Sequence, residues 1–173
     1  VSNTYQCSDF SDLSELYFHK KDETISLVLP TLNEEQTIEF IVTKILDTLN
    51  KEFKIIDEII VIDGGSTDGT LEIIKNEKNI VKWISEKDRG IYDAINKGLK
   101  ISKGRYINTI NSGDYYYSSN SLIIIKNYFE RNDVSFIFGA VLKKKVHYKY
   151  EPNKMFWTFN FYPAHSSGFF VKK

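Results

Sequence analysis

From Thr24 onward the apolar residues alternate between short continuous runs and stripes of helical spacing. Ile25 to Leu29 reads as a buried strand that Pro30 ends, since proline cannot donate to a strand ladder. Ile38, Ile41, Val42, Ile45, Leu46 and Leu49 then fall three and four apart, the stripe of a helix lying on a sheet. Ile59 to Ile62 gives a second strand, Thr70 to Asn76 a second helix and Val81 to Ile84 a third strand. Ile91, Ala94, Ile95, Gly98, Leu99 and Ser102 repeat the helical stripe, with Gly104 placed to terminate it. Tyr106 to Ile110 predicts a fourth strand, Leu122 to Phe129 a helix, Phe136 to Val141 a fifth strand, and Val146 to Tyr150 an alternating strand pairing antiparallel.

Strands alternating with helices at this spacing predict an α/β fold: a mostly parallel central sheet flanked by helices, with an antiparallel C-terminal portion. Residues 1–23 are polar, aperiodic and dotted with aromatics, and read as an N-terminal arm or short helix packed on a domain spanning 24–173. No internal repeat, low-complexity tract or linker divides that domain.

Composition narrows the function classes. The 23 basic and 23 acidic side chains cancel, leaving no electrostatic footprint for nucleic acid. A single cysteine, Cys7, cannot form an internal disulfide, and no metal-type Cys/His spacing occurs, so a cytoplasmic location is expected. No apolar run approaches the roughly 20 residues that cross a bilayer. Both ends read as cut: the chain starts at Val1 and stops in the apolar-to-basic stretch Phe169 to Lys173.

Candidate chemistry collects where predicted strands run into polar loops, the carboxyl edge at which open α/β sheets bind ligands. Pro30-Thr31-Leu32-Asn33-Glu34-Glu35 follows the first strand; Glu34 suits ribose hydroxyls or base N–H groups, while Asn33 equally suits an N-cap with the glutamates on the helix dipole. Asp63-Gly64-Gly65-Ser66-Thr67-Asp68-Gly69-Thr70 follows the second. Its glycines admit close approach of a ligand, Thr67 or Asp68 suits a helix cap, and Asp63, ahead of the turn, is left to accept from a pyrimidine N3–H. Asp88 and Arg89 stand beside Gly90 at a loop-to-helix junction that suits ribose or phosphate, or simply a solvated charge cluster. Asn111-Ser112-Gly113-Asp114 follows the fourth strand. A carboxylate there suits Mg²⁺ or Mn²⁺ with a diphosphate supplying the other oxygens, and alone it is equally a turn.

Taken in order, Pro30-x-x-Asn33-Glu34, Val61-Ile62-Asp63-Gly64-Gly65-Ser66-x-Asp68-Gly69-Thr70, Glu86-x-Asp88-x-Gly90-Ile91-Tyr92-Asp93-Ala94-x-Asn96-x-Gly98 and Asn111-Ser112-Gly113-Asp114 resemble the family-2 nucleotide-sugar glycosyltransferases. The likeness runs from residue 25 to about 173 and is greatest to the bacterial branch that builds surface polysaccharides such as colanic acid. It implies a GT-A fold, a nucleotide-sugar donor such as a UDP-sugar, and transfer with inversion to a glycan or lipid-linked acceptor. By position, Pro30, Asn33, Glu34 and Asp63 would line the nucleoside pocket, Asp88 would face base or ribose, Ser112 would lie at the donor, and Asp114 would hold Mn²⁺ or Mg²⁺. The family's Asp-x-Asp is altered here, with Asn111 and Gly113 at its acidic positions and Asp114 one residue later.

The resemblance also implies that His165 in Pro163-Ala164-His165-Ser166-Ser167-Gly168-Phe169 lies near the acceptor and contacts phosphate or acceptor as the candidate catalytic residue, where a lone histidine otherwise reads as a packed or surface residue, and that the general base comes from an acceptor half beyond Lys173. The aromatic run Met155 to Tyr162 reads as core, acceptor platform or lipid-facing patch, so peripheral association with the inner face of a membrane is a further expectation. Two competing readings remain. One is a noncatalytic or truncated nucleotide-binding module of the same fold. The other is a nucleotidyltransferase, which would carry a glycine-rich basic loop after the first strand, and residues 30–35 contain neither glycine nor lysine.

Overall fold

The computed structural model describes residues 13–20, 23–111, 113–118, 120–139, 141–143, 146–148 and 168–171. The chain divides into two compact units, residues 1–104 and 105–173.

In the first unit, helix α1 (Leu13–Lys20) precedes strand β1 (Ser26–Thr31), helix α2 (Ile38–Leu49), strand β2 (Glu58–Asp63), helix α3 (Thr70–Asn76), strand β3 (Ile80–Ser85) and helix α4 (Ile91–Ile101). The three strands form one parallel sheet in the order β1-β2-β3. Side chains alternate across a strand, so central β2 has two apolar faces. Ile59 and Val61 join Ile38 and Val42 of α2 and Ile74 of α3 in one buried cluster. Ile60 and Ile62 join Ala94 of α4 in another. The two crossover helices therefore share one face of the sheet, and α4 covers the other.

Gly98 sets how closely α4 lies on β1. A β-carbon there would stand 2.2 Å from Val28 Cγ1, closer than any unstrained contact. The helix ends at Ile101, where the Ser102 N–H donates to the Gly98 carbonyl at 2.9 Å. The stop thus comes before Gly104, because the Ser102 backbone is already extended.

Pro30 lies inside β1 rather than ending it. Thr31 turns its carbonyl toward β2, accepting from the Gly64 N–H at 2.9 Å, so the alternate residue Pro30 faces away from that ladder. Its missing N–H therefore costs no bond to β2, as expected for proline in a strand.

In the second unit, strand β4 (Tyr106–Asn108), helix α5 (Ser121–Arg131), strand β5 (Phe136–Phe138) and strands β6 (Val141–Lys143) and β7 (Val146–Tyr148) precede strand β8 (Gly168–Val171). β8 pairs antiparallel with both β4 and β5 and lies between them. The single strand expected over 136–141 is two, since β6 (Val141–Lys143) begins a separate antiparallel pairing with β7 (Val146–Tyr148). Phe169 is buried, and Tyr106 of β4 stacks on Phe129 of α5 with ring centroids 5.0 Å apart. The molecule thus has the expected α/β architecture, a parallel sheet flanked by helices with an antiparallel C-terminal sheet.

Candidate functional site

Thr31, Asp63 and Ser85 occupy one row at the carboxyl ends of β1, β2 and β3. Three loops leave this row, at residues 32–37, 64–69 and 86–90, and hydrogen bonds lace them together. The Asn33 N–H donates to Ser66 Oγ at 2.8 Å, and the Thr67 N–H donates back to Asn33 Oδ1 at 2.9 Å. The Glu34 N–H donates to Thr70 Oγ1 at 2.8 Å, and the Gly69 N–H to Glu35 Oε2 at 2.7 Å.

Asn33 is therefore a loop bridge and not the N-cap of α2. It holds a left-handed backbone with φ of 54°, a conformation asparagine tolerates better than most residues. Helix α2 starts after Thr37, and the Glu34 carbonyl receives the Thr37 and Ile38 N–H groups at 3.0 and 2.9 Å. The Glu34 side chain is exposed and accepts from the Thr37 hydroxyl. The N-cap of α3 is Gly69 rather than Thr67 or Asp68; Asp68 lies one residue ahead of it, and its Oδ1 accepts from the Thr70 N–H at 3.1 Å and the Thr70 hydroxyl at 2.5 Å. The Thr70 hydroxyl bond leads the causes that hold the Asp68 carboxyl below its ordinary range.

Asp63 sits beneath these loops with 0% of its surface exposed. Its Oδ1 accepts from the Ser66 hydroxyl and, at 3.2 Å, from the Ser66 N–H, while Oδ2 accepts from the Ser85 hydroxyl at 2.6 Å. A carboxylate without a cation beside it stays buried only when hydroxyl and amide donors satisfy it, and these do. Asp63 thereby ties the end of β2 to the end of β3. Ser66 and Ser85 are structural partners that the strand pattern alone gives no reason to single out.

The third loop lies on the second. The Glu86 and Asp88 N–H groups donate to the carbonyls of Asp63 and Gly64 at 3.1 and 3.3 Å. The Asp88 carboxylate is paired with Lys97 of α4, and its side chain is 10% exposed. Lys97 also meets Glu86 at 3.1 Å and Asp93 at 3.4 Å. The Asp88 hydrogen bond is foremost among the contacts that hold the Lys97 ammonium well above the ordinary lysine range. The Arg89 N–H donates to Asp93 Oδ2 at 3.1 Å, closing the first turn of α4.

In the second unit, the Asp114 N–H donates to the Asn111 carbonyl at 3.0 Å, forming a turn with Gly113 at φ of 85°. Asn111 Nδ2 donates to Asp114 Oδ2 at 3.1 Å, and both residues are exposed. The turn is anchored through Asn108. Its Oδ1 accepts from the Tyr116 hydroxyl at 2.7 Å and its Nδ2 donates to the Gly168 carbonyl at 2.8 Å. Burial pushes the Tyr116 phenol up to about 12. Of the three consecutive tyrosines, Tyr116 packs near Phe169 while Tyr115 and Tyr117 are exposed.

The Asn111 and Asp114 side chains supply hard oxygen donors, the chemistry that Mg²⁺ and Mn²⁺ take. Among the described residues no three His, Cys, Asp or Glu side chains cluster, so a cation at Asp114 would draw most of its oxygens from a bound diphosphate and water. Ser112, His165 and the aromatic run 155–162 lie outside the described residues.

Residues 26–172 match the family model described as glycosyl transferase family 2. The chain belongs to that family. Among curated proteins it is 25% identical over 132 residues to a PGL/p-HBAD biosynthesis glycosyltransferase of Mycobacterium bovis, covering 72% of this chain and 49% of that protein. It is 35% identical over 132 residues to an uncharacterized glycosyltransferase of Rickettsia conorii, covering 74% of this chain and 20% of the relative. The chain thus spans about half the length of the mycobacterial relative and a fifth of the rickettsial one. Among solved structures, mannosyl-3-phosphoglycerate synthase from Rubrobacter xylanophilus superposes with a TM-score of 0.51 at 24% identity, over 70% of this chain and 42% of that one. That likeness bears on fold, which is GT-A-like, as expected for a family-2 glycosyltransferase.

Proposed function

We propose that the chain is the donor-binding part of an inverting glycosyltransferase that moves a sugar from a nucleotide-sugar, a UDP-sugar by preference, to a glycan or lipid-linked acceptor in surface-polysaccharide synthesis. Family membership supports sugar transfer, and a relative named for PGL/p-HBAD biosynthesis supports a role in building a larger product. The observation that carries the reading is the laced carboxyl edge of β1, β2 and β3. Its three loops form one hydrogen-bonded surface with the Asp88 carboxylate held on it.

In this proposal residues 24–173 are the nucleotide-sugar-binding domain. Pro30, Asn33, Glu34 and Asp63 build the nucleoside pocket, with Asp63 as the anchor beneath it and Asp88 offering acceptor lone pairs to base or ribose. Asp114 and Ser112 are assigned to the diphosphate side together with Mn²⁺ or Mg²⁺, and His165 is assigned a role toward the acceptor. When bound, the metal would neutralise charge on the departing diphosphate. The acceptor hydroxyl displaces the diphosphate at the anomeric carbon while a carboxylate removes its proton; that base is not among the residues assigned to this chain. A cytoplasmic location, at the inner face of a membrane, suits such donors and acceptors.

Asp114→Ala tests the assignment. Hydrolysis of the preferred UDP-sugar in Mn²⁺ should fall about 100-fold or more, the scale expected when a group stabilising leaving-group charge is removed. The melting temperature should stay unchanged, because the Asp114 side chain is exposed. Hydrolysis at the wild-type rate would contradict the metal role.

A further inference from the structure

The Gly64-Gly65 pair is explained by the chain itself. A β-carbon on Gly64 would stand 2.8 Å from Asp88 Oδ2 and 3.5 Å from Leu32 Cδ1. One on Gly65, whose φ is +88°, would stand 3.3 Å from both Cα and N of Lys87. Two residues without side chains therefore let the 86–88 segment lie directly on the β2–α3 loop, and they leave a seat that one Asp88 oxygen fills.

The two oxygens of Asp88 have different surroundings. Oδ1 is taken by Lys97, the closest of the three carboxylate contacts this ammonium makes. Oδ2 lies over Gly64, and among the described residues no donor is bonded to it. Lys97 is 14% exposed and also donates to the Lys87 carbonyl at 3.4 Å, so the cation is held by the same segment it orients. Of its carboxylate partners, Glu86 is 59% and Asp93 35% exposed, and Asp88 is the deep one. Asp63, the other carboxylate at this edge, has both oxygens engaged by serines and no exposed surface.

We propose that Lys97 is a positioning residue for donor binding: by holding Asp88 Oδ1 it keeps Oδ2 seated over Gly64, where that oxygen accepts a hydrogen bond from an O–H or N–H of the donor nucleoside. Gly64 is then a specificity element, since any side chain there displaces the accepting oxygen. The inference rests on the nucleotide-binding reading above and deepens it from a list of pocket residues to a three-part device of Gly64, Asp88 and Lys97.

The test is a double-mutant cycle read by calorimetric titration of UDP in Mn²⁺, with melting temperatures alongside. Asp88→Ala should weaken UDP about 10-fold or more, the scale of a hydrogen bond to a charged group. Lys97→Met should weaken it to a similar extent, Lys97→Arg should restore most of the loss, and the Lys97→Met/Asp88→Ala double variant should bind no more weakly than Asp88→Ala alone. Wild-type affinity in Lys97→Met, or additive losses in the double variant, would overturn the positioning role. Should Lys97→Met fail to fold, Gly64→Ala carries the test, because it leaves Lys97 in place while its methyl group takes the seat of Oδ2. Weakened binding supports the device, and unchanged affinity overturns it. A wild-type chain that binds no nucleoside diphosphate would overturn the nucleotide-binding reading itself, whereas a wild type that binds beside variants that bind equally would overturn only the device.

Discussion

Asp63 and Asp88 both stand beside strand ends in the sequence, yet the fold gives them different partners, serine hydroxyls for the buried Asp63 and the Lys97 ammonium for Asp88. Position relative to a strand was legible; the depth of each carboxylate was not, because it depends on Ser66, Ser85 and Lys97 arriving from other segments. As an anchor, Asp63 should matter first to stability. Asp63→Ala leaves the half-buried Ser66 and Ser85 donors without their acceptor and should cost about 1–3 kcal/mol in urea unfolding. A fully stable variant that loses only UDP affinity would show direct contact with the base instead. Asp57 makes a pH-dependent prediction. Burial acts to raise its carboxyl, but the Lys20 hydrogen bond at 2.8 Å, the Ile25 N–H at 2.8 Å and the nearby Lys54 charge outweigh this and hold it below 3.8. A depressed value in the folded state means a stabilisation that is present above the unfolded-state value of about 3.9 and is lost as pH falls through the folded one. The stability gap between wild type and Asp57→Asn should thus be full at pH 7 and shrink below pH about 4, as followed by urea titrations; a gap independent of pH would contradict it.

The helices were the easiest elements to read, because their spacing is local: the stripe from Ile38 to Leu49 coincides with α2, and Thr70 to Asn76 with α3. Strand β8 was not legible as a strand. Its four residues find both partners far back in the chain, at Tyr106–Asn108 and Phe136–Phe138, and such pairing leaves no periodic trace. Pro30 misled for a related reason, since whether proline ends a strand depends on which way that residue faces. Gly98 read as part of an amphipathic stripe, but its importance comes from Val28 on a neighbouring element. Gly98→Ala should destabilise the protein by about 1–3 kcal/mol, the usual cost of overfilling a packed interior. Val28→Ala in the same chain should recover part of that loss. A Gly98→Ala variant as stable as wild type in thermal unfolding would mean α4 can move off β1 without cost.

At the scale of the whole molecule, the α/β architecture and the family were both readable, because four motifs in a fixed order carry more information than any one of them. The laced edge of β1, β2 and β3 was only partly readable: the sequence marks each loop, whereas the Asn33–Thr67 and Asp88–Gly64 bonds that join them arise from folding. Among the described residues no helix is long and apolar enough to cross a membrane. Donor binding is the property on which the remaining chemistry depends, and it can be measured without knowing sugar or acceptor. Calorimetric titration of UDP into the chain, with Mn²⁺ and with EDTA, should give saturable one-to-one binding that Mn²⁺ strengthens, with ADP binding more weakly. Absence of binding by UDP and every other nucleoside diphosphate, with metal present and the protein folded, would contradict the account.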